Sequence, residues 1–436
     1  MTAMPGRAPF RAIVARHLLS DAPVWALADQ CLVSGVNFAA NVLLARNLGL
    51  SGYGTFVTLY SVTLFAWSCQ LALFMMPTMS IGPKLPDAAR GRYLRGANAL
   101  QLAFSLLVGS IAIVAGLMGV MRGWLDYQIA GAWVSATVAY LVQDGLRRYY
   151  FVSRRSRTAF TNDLITYGGQ LALLIGLLLV GRLTIAAAFL AMTAASGAAV
   201  ISGFLLESLL IPLRDAWRAY GADSWRMGRD LWITVQLQWA NNNGLLLLGT
   251  WFIGPQAAGA VRAVQALVGP LNVILQAMDN VVPARAARHH AADPVAGLDR
   301  YIGRLAWQGG AVFGAGSLLI AALASTFVTV AYGRTLVDSL HGLIPWALAY
   351  ICLAFFIRLA LYRYRTLRIT QNIVNIAGAA ILTSVVTLVL LIYSLHELAI
   401  VVSMVTGQCI ALIYAYCWSR GWEALPRASR LEGTAP

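Results

Sequence analysis

Apolar runs of membrane length recur along the whole chain, interrupted by short polar loops. Read at about 20 residues per crossing, they predict twelve transmembrane helices. These fall at 24–45, 55–76, 97–120, 129–150, 164–181, 185–207, 231–253, 257–280, 305–330, 344–362, 369–393 and 398–418. The loops between them leave no room for a separate soluble domain. The stretch from Ala28 to Gly54 departs from the plain apolar pattern, because it carries Asp29, Gln30, Ser34, Asn37 and Asn41. At 3.6 residues per turn Gln30, Ser34, Asn37 and Asn41 share one helix face. Lipid does not tolerate such a face, so it should look onto protein or a water-filled cavity.

The eighth span carries a second polar stripe. Arg262, Gln265, Gly269, Asn272, Gln276 and Asp279 recur every three or four residues. In a continuous helix they line one face for nearly the full membrane depth. Such a stripe either bridges neighbouring helices as a buried network or lines a hydrophilic pathway. A lone Arg262 this deep favours the pathway, where water or an anion can meet it. Arg358 in the tenth span lies near the end of its helix, where a long side chain can snorkel to the interface. The seventh span adds Gln236, Gln238, Asn241, Asn242 and Asn243. Three consecutive asparagines point in three directions, so at least one should bond a neighbouring helix or loosen its own.

The widest break between spans, 208–230, divides the chain into six plus six. The expected organisation is an N-terminal segment (1–23), a six-helix bundle (24–207), a linker (208–230), a second six-helix bundle (231–418) and a tail (419–436). A shift of 205 residues lays the opening stretch over the seventh span and its turn. Gly49 and Gly54 then fall on Gly254 and Gly259, and Asn37 falls on Asn242. Asn242 is therefore the asparagine of the three expected to face the pathway. An even number of spans per half makes the repeat parallel, as in transporters built from two similar bundles.

Composition agrees with the pattern: 59% hydrophobic and 11% charged residues place the chain among all-α integral membrane proteins. The net charge of +15 would suit nucleic acid, but its placement argues against that partner. With the N-terminus cytoplasmic, nearly all basic residues outside the spans gather within 7–16, 84–95, 147–157, 214–229, 285–304, 363–368 and 420–430. The opposite side holds only Arg46, Arg122, Arg182 and Arg334. This asymmetry predicts a multi-pass protein with both termini cytoplasmic, its arginines set against anionic lipid. Cys31, Cys69, Cys352, Cys409 and Cys417 lie inside spans at unrelated spacings and are expected to be small buried apolar residues. The first span is too long and polar for a cleaved signal and should remain as a signal-anchor.

The acids nearest the membrane are Asp29, Asp144, Asp163, Glu207 and Asp279. They can pair with Arg147, Arg148 or other arginines. A coupling site for protons or sodium would use an acid with few positive neighbours, which singles out Asp29, with Asp279 as a further candidate. No phosphate-binding loop, nucleophile elbow or metalloprotease motif occurs. The sequence therefore points away from an enzyme and implies no cofactor or metal.

Three segments carry a family resemblance. LADQCLVSGVNFAANVLLARNLGLSGYGTF resembles the first span and turn of the polysaccharide transporter family, within the multidrug/oligosaccharidyl-lipid/polysaccharide exporter superfamily. DGLRRYYFVSRRSRTAFTNDLITYGGQ (144–170) is similar to that family's fourth-to-fifth span connection, and GAVRAVQALVGPLNVILQAMDNVVP (259–283) to its eighth span. The resemblance implies two six-helix bundles forming a V-shaped central cavity that opens to alternate sides. It implies a flippase in the bacterial inner membrane for undecaprenyl-pyrophosphate-linked oligosaccharide, serving exopolysaccharide, capsule or O-antigen synthesis. A glycan polymerase and export machinery would be its partners. The expected cavity residues are Arg262, Gln265, Asn272, Gln276, Gln30, Ser34, Asn37, Asn41, Asn242 and Arg358. A single deep cation, Arg262, is sparse for a strongly anionic cargo. Two alternatives stay open: a multidrug-type antiporter driven by protons or sodium, and a non-transporting scaffold of a glycan polymerase.

Overall fold

The computed structural model describes residues 21–153, 155–206, 210–293, 296–333, 340–367 and 369–423. Residues 1–20 of the expected N-terminal segment, 424–436 of the expected tail, Glu207 and Arg334 lie outside them. All regular structure among the described residues is helical. Eight segments are long and apolar enough to cross a membrane, and a bent pair, Pro255–Leu267 with Gly269–Asp279, makes a ninth.

One of the eight runs from Ala28 to Lys84 and holds two crossings. Its main helix, α1 (Asp21–Gln70), breaks at Gly49, whose φ of 68° and ψ of 172° no helix contains. Two more crossings are helical throughout but too polar to pass on hydropathy. One is α4, given below with its range, and the other leads through the three asparagines. With these the count reaches the twelve expected spans.

The remaining helices, in order, are α2 (Met76–Ile81), α3 (Asp87–Met121), α4 (Tyr127–Val152), α5 (Ser156–Asp163), α6 (Gly169–Leu179) and α7 (Ile185–Leu206). There follow α8 (Leu213–Trp239), α9 (Leu245–Ile253), α10 (Pro255–Leu267), α11 (Gly269–Ala292), α12 (Gly297–Tyr332), α13 (Ile344–Thr366), α14 (Thr370–Leu395) and α15 (Glu397–Glu423). Single π-turns join α1 to α2 (Leu71–Met75), α5 to α6 (Leu164–Gly168) and α8 to α9 (Ala240–Gly244).

The chain forms two compact units, one of residues 1–40 and 63–233, the other of 41–62 and 234–436. In the first, α4 packs against α3 and α7. Its interior is pinned by hydroxyls that need no water. Thr63 and Thr137 share a hydrogen bond of 2.8 Å, and the Trp133 indole donates to Thr63 at 3.1 Å. Within the expected linker, the described residues are helical from Leu213 onward. They belong to α8, which breaks at Gly221 and continues into the seventh span. Ala216, Tyr220, Ser224 and Gly228 repeat every four residues along α8, and all four are buried. The Tyr220 hydroxyl donates 2.6 Å to the Leu73 carbonyl in the first π-turn, and its ring stacks on Tyr93 at 5.8 Å.

In the second unit α13, α14 and α15 pack together and α12 lies on α13, with Phe313 and Phe355 stacked at 4.7 Å between the latter two. Gly254 opens the turn between α9 and α10 with φ 93° and ψ 172°, the same backbone state as Gly49. Side chains do not adopt that combination, so both turns require glycine. The cysteines correct an expectation. Cys31 and Cys417 are exposed and the other three partly exposed. On the outer face of a spanning helix hydrocarbon is as apolar as a protein core, so a cysteine gains nothing by turning inward.

Candidate functional site

The seventh span supplies the local geometry from which a site in the second unit is built. Its π-turn, Ala240–Gly244, holds all three asparagines. A π-turn adds one residue to a helical turn and widens it, a distortion frequent at functional sites. The three side chains part as a result. Asn242 lines a cavity of about 150 Å3, Asn241 lines a second cavity of about 130 Å3, and Asn243 is buried and accepts a hydrogen bond from Arg262.

Gln265, Asn272, Tyr350 and Arg358 complete the polar lining of the first cavity, with Val264, Leu275 and Met404 among its apolar walls. Arg262 sits behind that lining. Its guanidinium also donates to Gln265 Oε1 at 3.0 Å, so two amides share the charge. Arg358 binds Asp279 at 2.6 Å, and the Tyr362 hydroxyl donates to the same carboxylate at 2.7 Å. The lining thus presents amides and one guanidinium, while the acid beside that guanidinium is already engaged.

The eighth span is not the continuous stripe expected from its spacing. It bends by 68° between α10 and α11. Pro270 follows the break, and its ring removes the N–H that would bond Ala266 and crowds that carbonyl. Gln265 and Asn272 nevertheless reach one cavity from either side of the bend, whereas Gln276 is exposed and absent from its lining.

The first unit holds a different constellation. Arg147 of α4 meets three carboxylates: Asp29 at 2.5 Å, Asp144 at 3.8 Å, and Asp163. Arg148 lies 3.5 Å from Asp144, which also accepts from the Trp67 indole N–H at 2.8 Å. Gln143 donates to Asp163 at 2.9 Å. The three acids are almost fully buried, and Arg147 is 12% exposed. Three carboxylates against two guanidiniums leave one negative charge in excess, which one proton or one monovalent cation would neutralise. The sequence gives Asp29 few positive neighbours nearby. Its partner instead arrives from 118 residues away, which no local pattern shows.

The fold is that of the MATE transporters. A multidrug resistance MATE family transporter of the MOP superfamily, solved in an inward-facing conformation, matches with a TM-score of 0.73 at 12% identity, over 93% of this chain and 96% of that one. An outward-facing structure of such a transporter matches at 0.54 and 14% identity, covering 94% and 93%. A MOP superfamily transporter from Pyrococcus furiosus Vc1, for which reverse polarity of the binding pocket suggests a different function, matches at 0.54 and 12%, covering 92% and 94%. No family model matches the sequence, and no curated protein does either.

Within this fold the first-span residues are shared between the units. Gln30, Ser34 and Asn37 belong to the first unit, where Gln30 donates to Ser34 at 3.2 Å and Asn37 is exposed. Asn41 belongs to the second and accepts from the Tyr53 hydroxyl at 2.7 Å. Sequence reasoning missed Tyr350 and Met404. A usable signal for the first existed: Tyr350, Ala354 and Arg358 recur every four residues, and all three line the cavity.

Proposed function

We propose that this protein is a secondary transporter working by alternating access, and that its cargo is a lipid-linked oligosaccharide moved across a bacterial inner membrane. The observation that carries the cargo assignment is the second unit's cavity. Amides of Asn242, Gln265 and Asn272 and the Tyr350 hydroxyl suit sugar hydroxyls, and the one guanidinium of the lining, Arg358, is paired with Asp279. A cationic drug would find no uncommitted carboxylate in that lining. The MATE fold supports transport, and the neighbour from Pyrococcus furiosus illustrates that pocket polarity varies within it. The arginine asymmetry supports cytoplasmic termini. A glycan polymerase and export machinery would receive the cargo on the far side.

A second reading, a multidrug-type antiporter, draws on the first unit. Its excess negative charge suits the coupling ion that such an exporter needs. Coupling alone does not choose the cargo, because an ion gradient can drive either. A scaffold without transport is disfavoured by the polar cavity itself, which a scaffold has no use for.

One assay separates the two. Purified protein in proteoliposomes is given a fluorescent lipid-pyrophosphate-linked oligosaccharide, and leaflet accessibility is read with a membrane-impermeant quencher. Accelerated exchange that fails with Asn242→Ala supports the assignment. Exchange no faster than in protein-free vesicles, together with ion-driven uptake of a cationic dye, would replace it with the antiporter reading.

A further inference from the structure

The second cavity of the 41–62 and 234–436 unit has no part in the sugar-facing site. It lies among α8, α13, α14 and α15, and its wall is aliphatic: Leu237, Ile357, Leu361 and Val374. Its polar lining includes Arg365 and the amides of Gln238 and Asn241. The end of α13 carries three arginines with different fates. Arg358 binds Asp279 at 2.6 Å and Arg363 binds Asp299 at 2.9 Å, whereas Arg365 has no acidic partner among the described residues. The arginine left unpaired is the one that borders the aliphatic chamber.

An uncommitted guanidinium beside an aliphatic wall suits an anion carried on a hydrocarbon chain. A guanidinium forks onto phosphate oxygens, which no apolar ligand can exploit. The wall in turn replaces lipid around the first carbons of the chain, which a soluble phosphate cannot exploit. Size limits the bound portion. A dry cavity of about 150 Å3 takes one benzene-sized group, so this chamber of about 130 Å3 takes about the first five carbons behind the head.

We propose that this cavity is a subsite for a lipid phosphate, with Arg365 on the phosphate and the aliphatic wall on the carbons next to it. The π-turn then separates two chemistries one residue apart, Asn241 toward the lipid end of a ligand and Asn242 toward sugar. This deepens the lipid-linked reading and rests on it for the identity of the cargo, but the binding itself is testable without transport.

The test uses the purified full chain in neutral detergent. Farnesyl phosphate is titrated, with farnesol, inorganic phosphate and a lysophosphatidic acid as comparison ligands, and binding is read by native mass spectrometry and intrinsic tryptophan fluorescence. One equivalent of farnesyl phosphate should bind. Farnesol and inorganic phosphate should each bind at least tenfold more weakly. Arg365→Gln should weaken farnesyl phosphate at least tenfold and leave farnesol unchanged, whereas Ala377→Phe, which fills the chamber, should weaken both. Arg365 is exposed, so its replacement tests the idea even where the filled variant does not fold. Lysophosphatidic acid binding as tightly as farnesyl phosphate would assign the site to membrane phospholipid, and weaker binding to an isoprenoid carrier; both support a lipid-phosphate subsite. Unsaturable binding, or equal affinity in Arg365→Gln, overturns it and leaves the export reading to its own assay.

Discussion

Gly54 and Gly259 pack against one another with room for hydrogen alone. A methyl group on Gly54 would run into the Pro255 carbonyl, and one on Gly259 into the Leu50 carbonyl. The contact is reciprocal: Leu50 and Pro255 stand 205 residues apart, as do Gly54 and Gly259. Residues 41–62 therefore meet their own repeat inside one compact unit, glycine to backbone in both directions.

Because backbone rather than a flexible side chain lies in the way, Gly54→Ala and Gly259→Ala should each destabilise the protein by about 1–3 kcal/mol or more. Gly131→Ala is the control, since nothing lies within 4 Å of a methyl group there. It should be neutral or stabilising by about 0.5–1 kcal/mol through helix propensity. Thermal unfolding in detergent compares the three. Equal midpoints for Gly54→Ala and Gly131→Ala would show that the contact does not hold.

The two ion-pair sites should respond very differently to loss of their arginine. Arg147→Gln strands the buried carboxylates of Asp29 and Asp163, since Asp144 keeps Arg148, and removing one partner of a buried pair costs about 3–5 kcal/mol. Arg358 and Asp279 are 27% and 40% exposed, so Arg358→Gln should cost no more than about 1 kcal/mol. A double-mutant cycle with Asp279→Asn isolates the second pair. A coupling above about 2 kcal/mol there would contradict the screened picture.

Charge excess in the first unit leads to a transport prediction. Asp163→Asn or Asp29→Asn removes the surplus negative charge and should abolish acceleration of transport by an imposed proton or sodium gradient. Arg148→Gln enlarges the surplus and should not abolish it. Vesicle uptake with and without the gradient measures this. A gradient response in Asp163→Asn and Asp29→Asn equal to that of the unmodified protein would remove the cluster from coupling.

The three asparagines should separate by phenotype. Asn243→Ala strips Arg262 of a buried acceptor and should lower stability by about 1–3 kcal/mol. Asn242→Ala should leave stability unchanged and slow transport, because its amide faces a cavity that water can fill. Arg262→Ala should insert normally yet impair export, through collapse of the Gln265 side of that cavity. Matching losses of stability for Asn242→Ala and Asn243→Ala would contradict the division.

The crossings were legible because each is an apolar run of membrane length, and the glycine repeat because two turns align at one fixed shift of 205 residues. Gly49 and Gly254 share a conformation that sequence could only align. What sequence hid was of two kinds. Sequence offered Arg147 as one of several partners for the acids, but that it is the arginine meeting Asp29, across 118 residues, belongs to packing rather than pattern. The bend before Pro270 and the π-turn at Ala240–Gly244 break the regular period on which stripe arguments depend. Pro270 was a readable warning, and the three asparagines pointed to a loosened helix, although nothing in ANNNG specifies a π-turn. The second cavity drew its lining from four helices and left no local trace.

The π-turn also fixes the phase of everything that follows it. Its surplus residue offsets the downstream helix by one step, about 100° of rotation. Deleting any one asparagine would restore a regular helix and turn α9 by that angle about its axis. Leu245, Leu246 and Gly249, now buried, would swing away from their neighbours, and the Gly254 turn would aim α10 elsewhere. A single codon lost there would be felt across the second unit, while a substitution at the same position touches one wall of one chamber.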